Sequence, residues 1–275
     1  MAVVLAVLTA LSYGVGDFSG GLASRRANAL TVTASAHAVG FLGVLTVAAI
    51  VGATHVRTID LFYGAAAGVC GCIGVVLLYR GMASGAMAIV SPVSAVIAAA
   101  VPVIGGLVAG ERPGGAGLAG IVAAIVAIVL VSHSGPMGRP SASTLLVAAG
   151  SGFGFGLFFL FISGVQEGAG LWPLVVGRLV SCTLAGAIAI SRGLPVVVPR
   201  AAIGLTIAAG VLDVGANVTF LLATQHGMLA VVAVIASLYP AGTVLLAMWI
   251  EDERLSPVQT WGLAAAGAAL VLIAL

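Results

Sequence analysis

Apolar runs broken by short polar stops set the rhythm of this chain. Ten runs stand out, at roughly 2–23, 31–52, 60–82, 86–109, 117–132, 144–166, 171–191, 201–224, 228–250 and 257–275. A bilayer core takes about 20 residues of helix, and each run reaches or approaches that length. The stops include Arg25-Arg26-Ala27-Asn28, Thr54 to Thr58, Gly110 to Gly114 and the acidic knot Glu251-Asp252-Glu253-Arg254. Lipid offers no partner to an open strand, so the spanning elements are expected to be helices. The pattern predicts an all-α integral membrane protein with ten transmembrane helices.

The pattern also repeats. Gly85 and Gly227 are separated by 142 residues, as are Ala88 and Ala230, Glu111 and Glu253, Arg112 and Arg254, and Gly120 and Gly262. A constant offset across charged and small residues points to a duplicated half. The break His133 to Ser143 is the natural seam. We expect a first repeat at 1–135, a linker at 136–143 and a second repeat at 144–275. Five helices is an odd number, so the two halves must insert with opposite orientation, giving two inverted five-helix repeats.

Tyr239-Pro240 followed by Glu253-Arg254-Leu255, with Glu111-Arg112-Pro113 in the first half, resembles the EamA family of the drug/metabolite transporter superfamily. The resemblance covers nearly the whole chain as two repeats. It departs at Ala98, the position matching Pro240, where the family usually has proline. Pro92 and Pro102 lie nearby and move the expected helix bend elsewhere. The resemblance implies alternating access, with export of a small metabolite or drug-like compound across the plasma membrane. It places both termini inside the cell. The excess of arginine in stops after odd-numbered runs (Arg25, Arg26, Arg80, Arg139, Arg192, Arg200, Arg254) places them outside.

Composition narrows the classes further. The chain is 61% hydrophobic and 7% charged, with mean hydropathy +1.27. A soluble domain carries about 25% charged residues. No basic patch interleaved with aromatics suggests nucleic acid. Cys70, Cys72 and Cys182 lie in apolar runs at spacings that suit neither zinc nor a redox motif, so no metal or other cofactor is expected. No G-x-x-x-x-G-K-[ST] loop suggests ATP coupling. The first run lacks a charged leader and reads as a retained helix. Glycine occurs 39 times, which suits close helix approach in lipid.

Ionisable residues inside the runs are the best lead to chemistry. Each costs roughly 2.5–3.5 kcal/mol at mid-helix and tends to face a cavity or a partner. Asp17 shares a narrow stripe with Thr9, Tyr13, Gly16 and Gly20. That stripe faces either a wet cavity or another helix. Asp213 sits deep in the eighth run, one turn before Asn217, and Arg178 in the seventh is the obvious partner. Two readings stay open there: a fixed ion pair, or an anion-binding arginine beside a carboxylate that exchanges a proton or a substrate cation. His37 matches Arg178 at an offset of 141. Tyr239, just before Pro240, is placed to touch substrate or to pack in the core. Pro240 is expected to bend its helix, as are Pro92 and Pro102. Glu111 and Glu253 are expected to cap helix ends as structural or gating elements.

Other classes deserve weighing. Gly14-Val15-Gly16-Asp17 spells a string found in intramembrane aspartyl proteases. Such an enzyme would need Asp17 and Asp213 to share a proton. The companion Tyr-Asp pair is missing. A channel or interaction protein without coupled transport is a further alternative. The favoured expectation is a secondary transporter, not an enzyme. Its partners would be a small-molecule substrate and the lipid bilayer, and it would work as a monomer or homodimer.

Overall fold

The computed structural model describes residues 1–131, 141–242 and 256–274. Among them are ten α-helices and no strand. They are α1 (Ala2–Ser24), α2 (Ala29–Val51), α3 (Thr58–Gly81), α4 (Met87–Val108), α5 (Gly115–Val131), α6 (Ala142–Ser163), α7 (Trp172–Ser191), α8 (Arg200–His226), α9 (Leu229–Ala236) and α10 (Pro257–Ala274). Seven are long and apolar enough to cross a membrane: α1 to α4 and α6 to α8. The other three are shorter apolar helices.

Local chemistry fixes the helix ends. Asn28 caps α2 by accepting from the Leu30 N–H at 3.0 Å, and Ser141 caps α6 by accepting from the Thr144 N–H at 3.1 Å. Gly52 ends α2 at φ 73° and Gly110 follows α4 at φ 95°, a region glycine enters without steric cost. A π-helical turn, Met82–Ala86, joins α3 directly to α4. The sequence suggested a plain break there. At the other end of the chain α9 stops early. Ser237 and Leu238 form a turn, and helix resumes at Tyr239 and Pro240. The hydrogen bonds tighten at this point, from Leu238 N–H to Ile235 O and from Ala241 N–H to Leu238 O. Proline explains this: Pro240 has no N–H for the Ala236 carbonyl, and its ring crowds that turn. By contrast α4 continues as one helix through both Pro92 and Pro102.

Helix packing follows a plan. α1 packs on α8 and α3 on α6; α2 packs on α7, α4 on α9 and α5 on α10. α3 also meets α7, and α2 meets α8. Glycine makes the α3–α7 contact possible. A Cβ on Gly64 would strike the Pro173 backbone, and one on Gly68 would strike the Gly177 backbone. At α2–α8, a Cβ on Gly210 would strike the Ala36 carbonyl. Such close backbone approach replaces the hydrophobic drive that lipid removes. Large apolar side chains such as Ile50, Phe62, Val122 and Trp261 point outward, where lipid would meet them. Several polar side chains of the spans are buried instead, among them Asp17, His37, Arg178, Asp213 and Asn217.

Candidate functional site

Six helices (α1, α2, α3, α6, α7 and α8) line one narrow space within the bundle. Its water-accessible volume is about 30 Å³. That admits about two waters. Phe155, Phe158 and Ile162 wall one side; Gly64, Gly68, Gly71 and Gly177 line another.

Five predicted residues meet here: Tyr13, His37, Arg178, Asp213 and Asn217. The Arg178 guanidinium forms an ion pair with the Asp213 carboxylate, and both are buried. His37 lies beside the pair, with Nε2 3.8 Å from Asp213 Oδ2. It is only 2% exposed, yet among the described residues neither ring nitrogen has a hydrogen-bond partner. An orphaned buried group of this kind carries a desolvation cost of about 1–3 kcal/mol until something bonds it. Tyr13 donates its hydroxyl hydrogen bond to Asn217 Oδ1, joining α1 to α8. The Tyr13 ring also rests near Phe159, which stacks on Phe220 at 4.3 Å between centroids.

The α1 stripe turns out to be a helix contact as well as a cavity wall. Thr9 bonds Thr219 on α8 at 2.8 Å, and Gly16 lies against Leu212 and Asp213. Gly20 accommodates the ring of Tyr79, where any Cβ would collide. Asp17 does not line the cavity. It is buried, and among the described residues it forms neither an ion pair nor a hydrogen bond. The hydroxyls of Tyr79 and Tyr239, and Asp213, lie within its electrostatic reach. Tyr239 also stands apart from the cavity; its hydroxyl donates to the Ser91 carbonyl at 3.3 Å, tying the α9 break to α4.

Glu111, just past α4, accepts from the Leu229 N–H at 2.6 Å and the Ala230 N–H at 2.9 Å. It therefore caps the start of α9, not its own helix, and so bridges the two halves of the chain. A carboxylate at a helix N-terminus satisfies free N–H groups and meets the positive end of the dipole. Glu253 falls outside the described residues.

Sequence reasoning missed Asp60, Tyr79 and the serine pair Ser94–Ser151. Asp60 is fully buried at the start of α3 and takes a fork from Arg57 and the Gln166 N–H. Its position three residues after Arg57 at a run's edge was a usable capping signal. Ser94 and Ser151 bond each other at 2.9 Å, and Ser151 donates to the Gly74 carbonyl. Small hydroxyls in an apolar run give no comparable signal. Among the described residues no three His, Cys, Asp or Glu cluster closely enough to hold a metal ion.

Comparison with known proteins separates fold from family. One crystal structure of a protein aligns over 98% of this chain and 94% of its own, with a TM-score of 0.76 at 16% identity. That likeness concerns the fold alone. No curated protein matches the sequence. Residues 1–133, which contain α1 to α5, match the EamA-like transporter family. With its apolar spanning helices, the chain is a multi-pass membrane protein, and its residues 1–133 are similar to the EamA-like transporter family, which falls within the drug/metabolite transporter superfamily.

Proposed function

We propose that the chain is a secondary transporter that exports small metabolites or drug-like compounds across the plasma membrane by alternating access, driven by protons. The observation that carries this reading is the narrow cavity within the bundle, lined by the Arg178–Asp213 pair and, beside it, His37, whose ring nitrogens have no hydrogen-bond partner among the described residues. A substrate with an anionic group would compete with Asp213 for Arg178 and satisfy His37. Tyr13 and Asn217 would orient it.

Protons would be carried by Asp17. Asp213 already has a cationic partner, whereas Asp17 is buried without one. A buried lone carboxylate binds a proton more readily than a paired one. The same contrast argues against an aspartyl protease, whose two carboxylates must share one proton while Asp213 is committed to Arg178.

The working unit would be two inverted repeats, 1–135 and 144–275, joined by the linker 136–143. The packing pairs support this. Exchanging each helix with the one five places on turns α1–α8 into α6–α3 and α3–α7 into α8–α2, and leaves α2–α7, α4–α9 and α5–α10 unchanged. One chain would then form a complete site as a monomer. The test is proton release from purified protein in weak buffer as amino acids, nucleosides and cationic dyes are added. Release on binding supports coupled transport. Binding without release would point to a uniporter or exchanger, with the Arg178–Asp213 pair structural.

A further inference from the structure

A second recess lies away from the central cavity, at the end of the bundle where α1 finishes and α2 begins. It is a crevice of about 490 Å³ lined by Ser24, Asn28, Leu30, Arg80 and Arg192, with Val76 at its apolar wall. Three features converge on it. The N-terminus of α2 opens into it at Asn28 and Ala29, presenting the positive end of a long helix dipole. Arg80, from the last turn of α3, and Arg192, at the end of α7, flank it from two sides. Among the described residues neither arginine forms an ion pair or a side-chain hydrogen bond. Ser24 is 7% exposed, and among the described residues its hydroxyl has no hydrogen-bond partner. A helix N-terminus and two guanidinium groups free of ion pairs line the recess, with the partnerless Ser24 hydroxyl buried in its wall, a combination that suits an oxyanion.

The setting narrows the anion. The crevice sits at the same end of the bundle as Arg25, Arg26 and Arg200. Arg26 is occupied on the Ala201 carbonyl at 2.6 Å. Of the described acidic side chains near helix ends, Asp60, Glu111 and Glu167 belong to the other end; Glu251, Asp252 and Glu253 lie outside the described residues. Basic recesses between membrane helices suit phosphate head groups, with acyl chains lying along the apolar helix surface. Arginine pairs with phosphate through a planar fork, which lysine lacks.

We propose that this crevice binds a phosphate-bearing anion between Arg80, Arg192 and the start of α2, with Ser24 donating a hydrogen bond to it. The phosphate could be supplied by an anionic lipid or by a soluble organic phosphate, and the experiment separates the two. Purified protein in neutral detergent is titrated with short-chain phosphatidylglycerol, short-chain phosphatidylcholine and glycerol 3-phosphate. Bound adducts are read by native mass spectrometry and by thermal shift. The wild-type chain should retain phosphatidylglycerol over phosphatidylcholine. Arg80→Gln and Arg192→Gln should each weaken retention about fivefold, and the double variant more. Ser24→Ala should weaken it about twofold to fivefold. Arg25→Gln with Arg200→Gln removes equal charge from the same end outside the crevice and should leave retention unchanged. Glycerol 3-phosphate binding as tightly as the lipid would assign the site to a soluble phosphate. Undiminished retention in the Arg80→Gln/Arg192→Gln variant, or equal loss in the Arg25→Gln/Arg200→Gln variant, would overturn the proposal. Both guanidinium groups are exposed and free of ion pairs, so the variants should fold, and the unliganded melting temperature checks this.

Discussion

Helices α2 and α3 in the first half of the chain pack against α7 and α8 in the second, and the two sets carry residues at matching offsets but are loaded differently. His37 on α2 stands 141 residues before Arg178 on α7. Gly71 and Val75 on α3 stand 142 residues before Asp213 and Asn217 on α8. The glycine contacts correspond too: Gly68 against Gly177 is matched by Gly210 against Ala36. Close backbone approach occurs at both crossings, α3 with α7 and α2 with α8. Charge lies on α7 and α8, while α3 has glycine at the position where α8 has carboxylate. The cavity is therefore charged on the α7 and α8 side and lined by glycine along α3.

The sharpest way to break this comparison is to remove the cation from the charged side. Arg178→Leu leaves Asp213 buried without a partner, and we expect about 3–5 kcal/mol lost from stability. His37→Leu removes a group without a hydrogen-bond partner from α2 and should cost under about 1 kcal/mol. Thermal unfolding in detergent compares them; similar losses would mean that the asymmetry carries no energetic weight.

The glycine contacts should be equally sensitive on both sides. Gly68→Ala and Gly210→Ala each force a Cβ into a facing backbone and should cost about 1–3 kcal/mol. Gly215→Ala, on α8 with open space around it, should be neutral or stabilising by up to about 1 kcal/mol. A large loss at Gly68 with none at Gly210 would show that only one crossing is tight.

Smaller effects are expected at the joints between the halves. Glu111→Gln weakens the cap on α9, with an expected cost of about 1–2 kcal/mol in thermal unfolding. Tyr13→Phe deletes the hydrogen bond to Asn217 and should cost about 1 kcal/mol.

Much of this was legible in the sequence for definite physical reasons. Apolar runs mark spans because lipid forbids unsatisfied backbone, and Arg178 pointed to Asp213 because buried charges seek opposite charges. The stripe on α1 was visible as well, but its division was not. Tyr13 and Asp17 are one turn apart on one face, yet only Tyr13 reaches the cavity. Which neighbour each meets depends on how α1 sits against α8, α3 and the broken α9, and no periodicity encodes that. Glu111 looked like a cap from its place at a run's end. Its partner lies more than a hundred residues away and emerged only with α4 packed on α9. The π-helical turn after α3 was hidden because Gly81-Met82-Ala83-Ser84-Gly85 reads as an ordinary break.

The central claim is a division of labour, with Asp213 and Arg178 binding substrate and Asp17 carrying the proton. It is tested most directly in proteoliposomes loaded with a compound that the binding screen identifies, measuring proton-driven uptake and substrate–substrate exchange side by side. Asp17→Asn should abolish the proton-driven flux and spare exchange, whereas Asp213→Asn should lose both. Proton-driven flux that survives in Asp17→Asn, or exchange that survives at full rate in Asp213→Asn, would contradict the account.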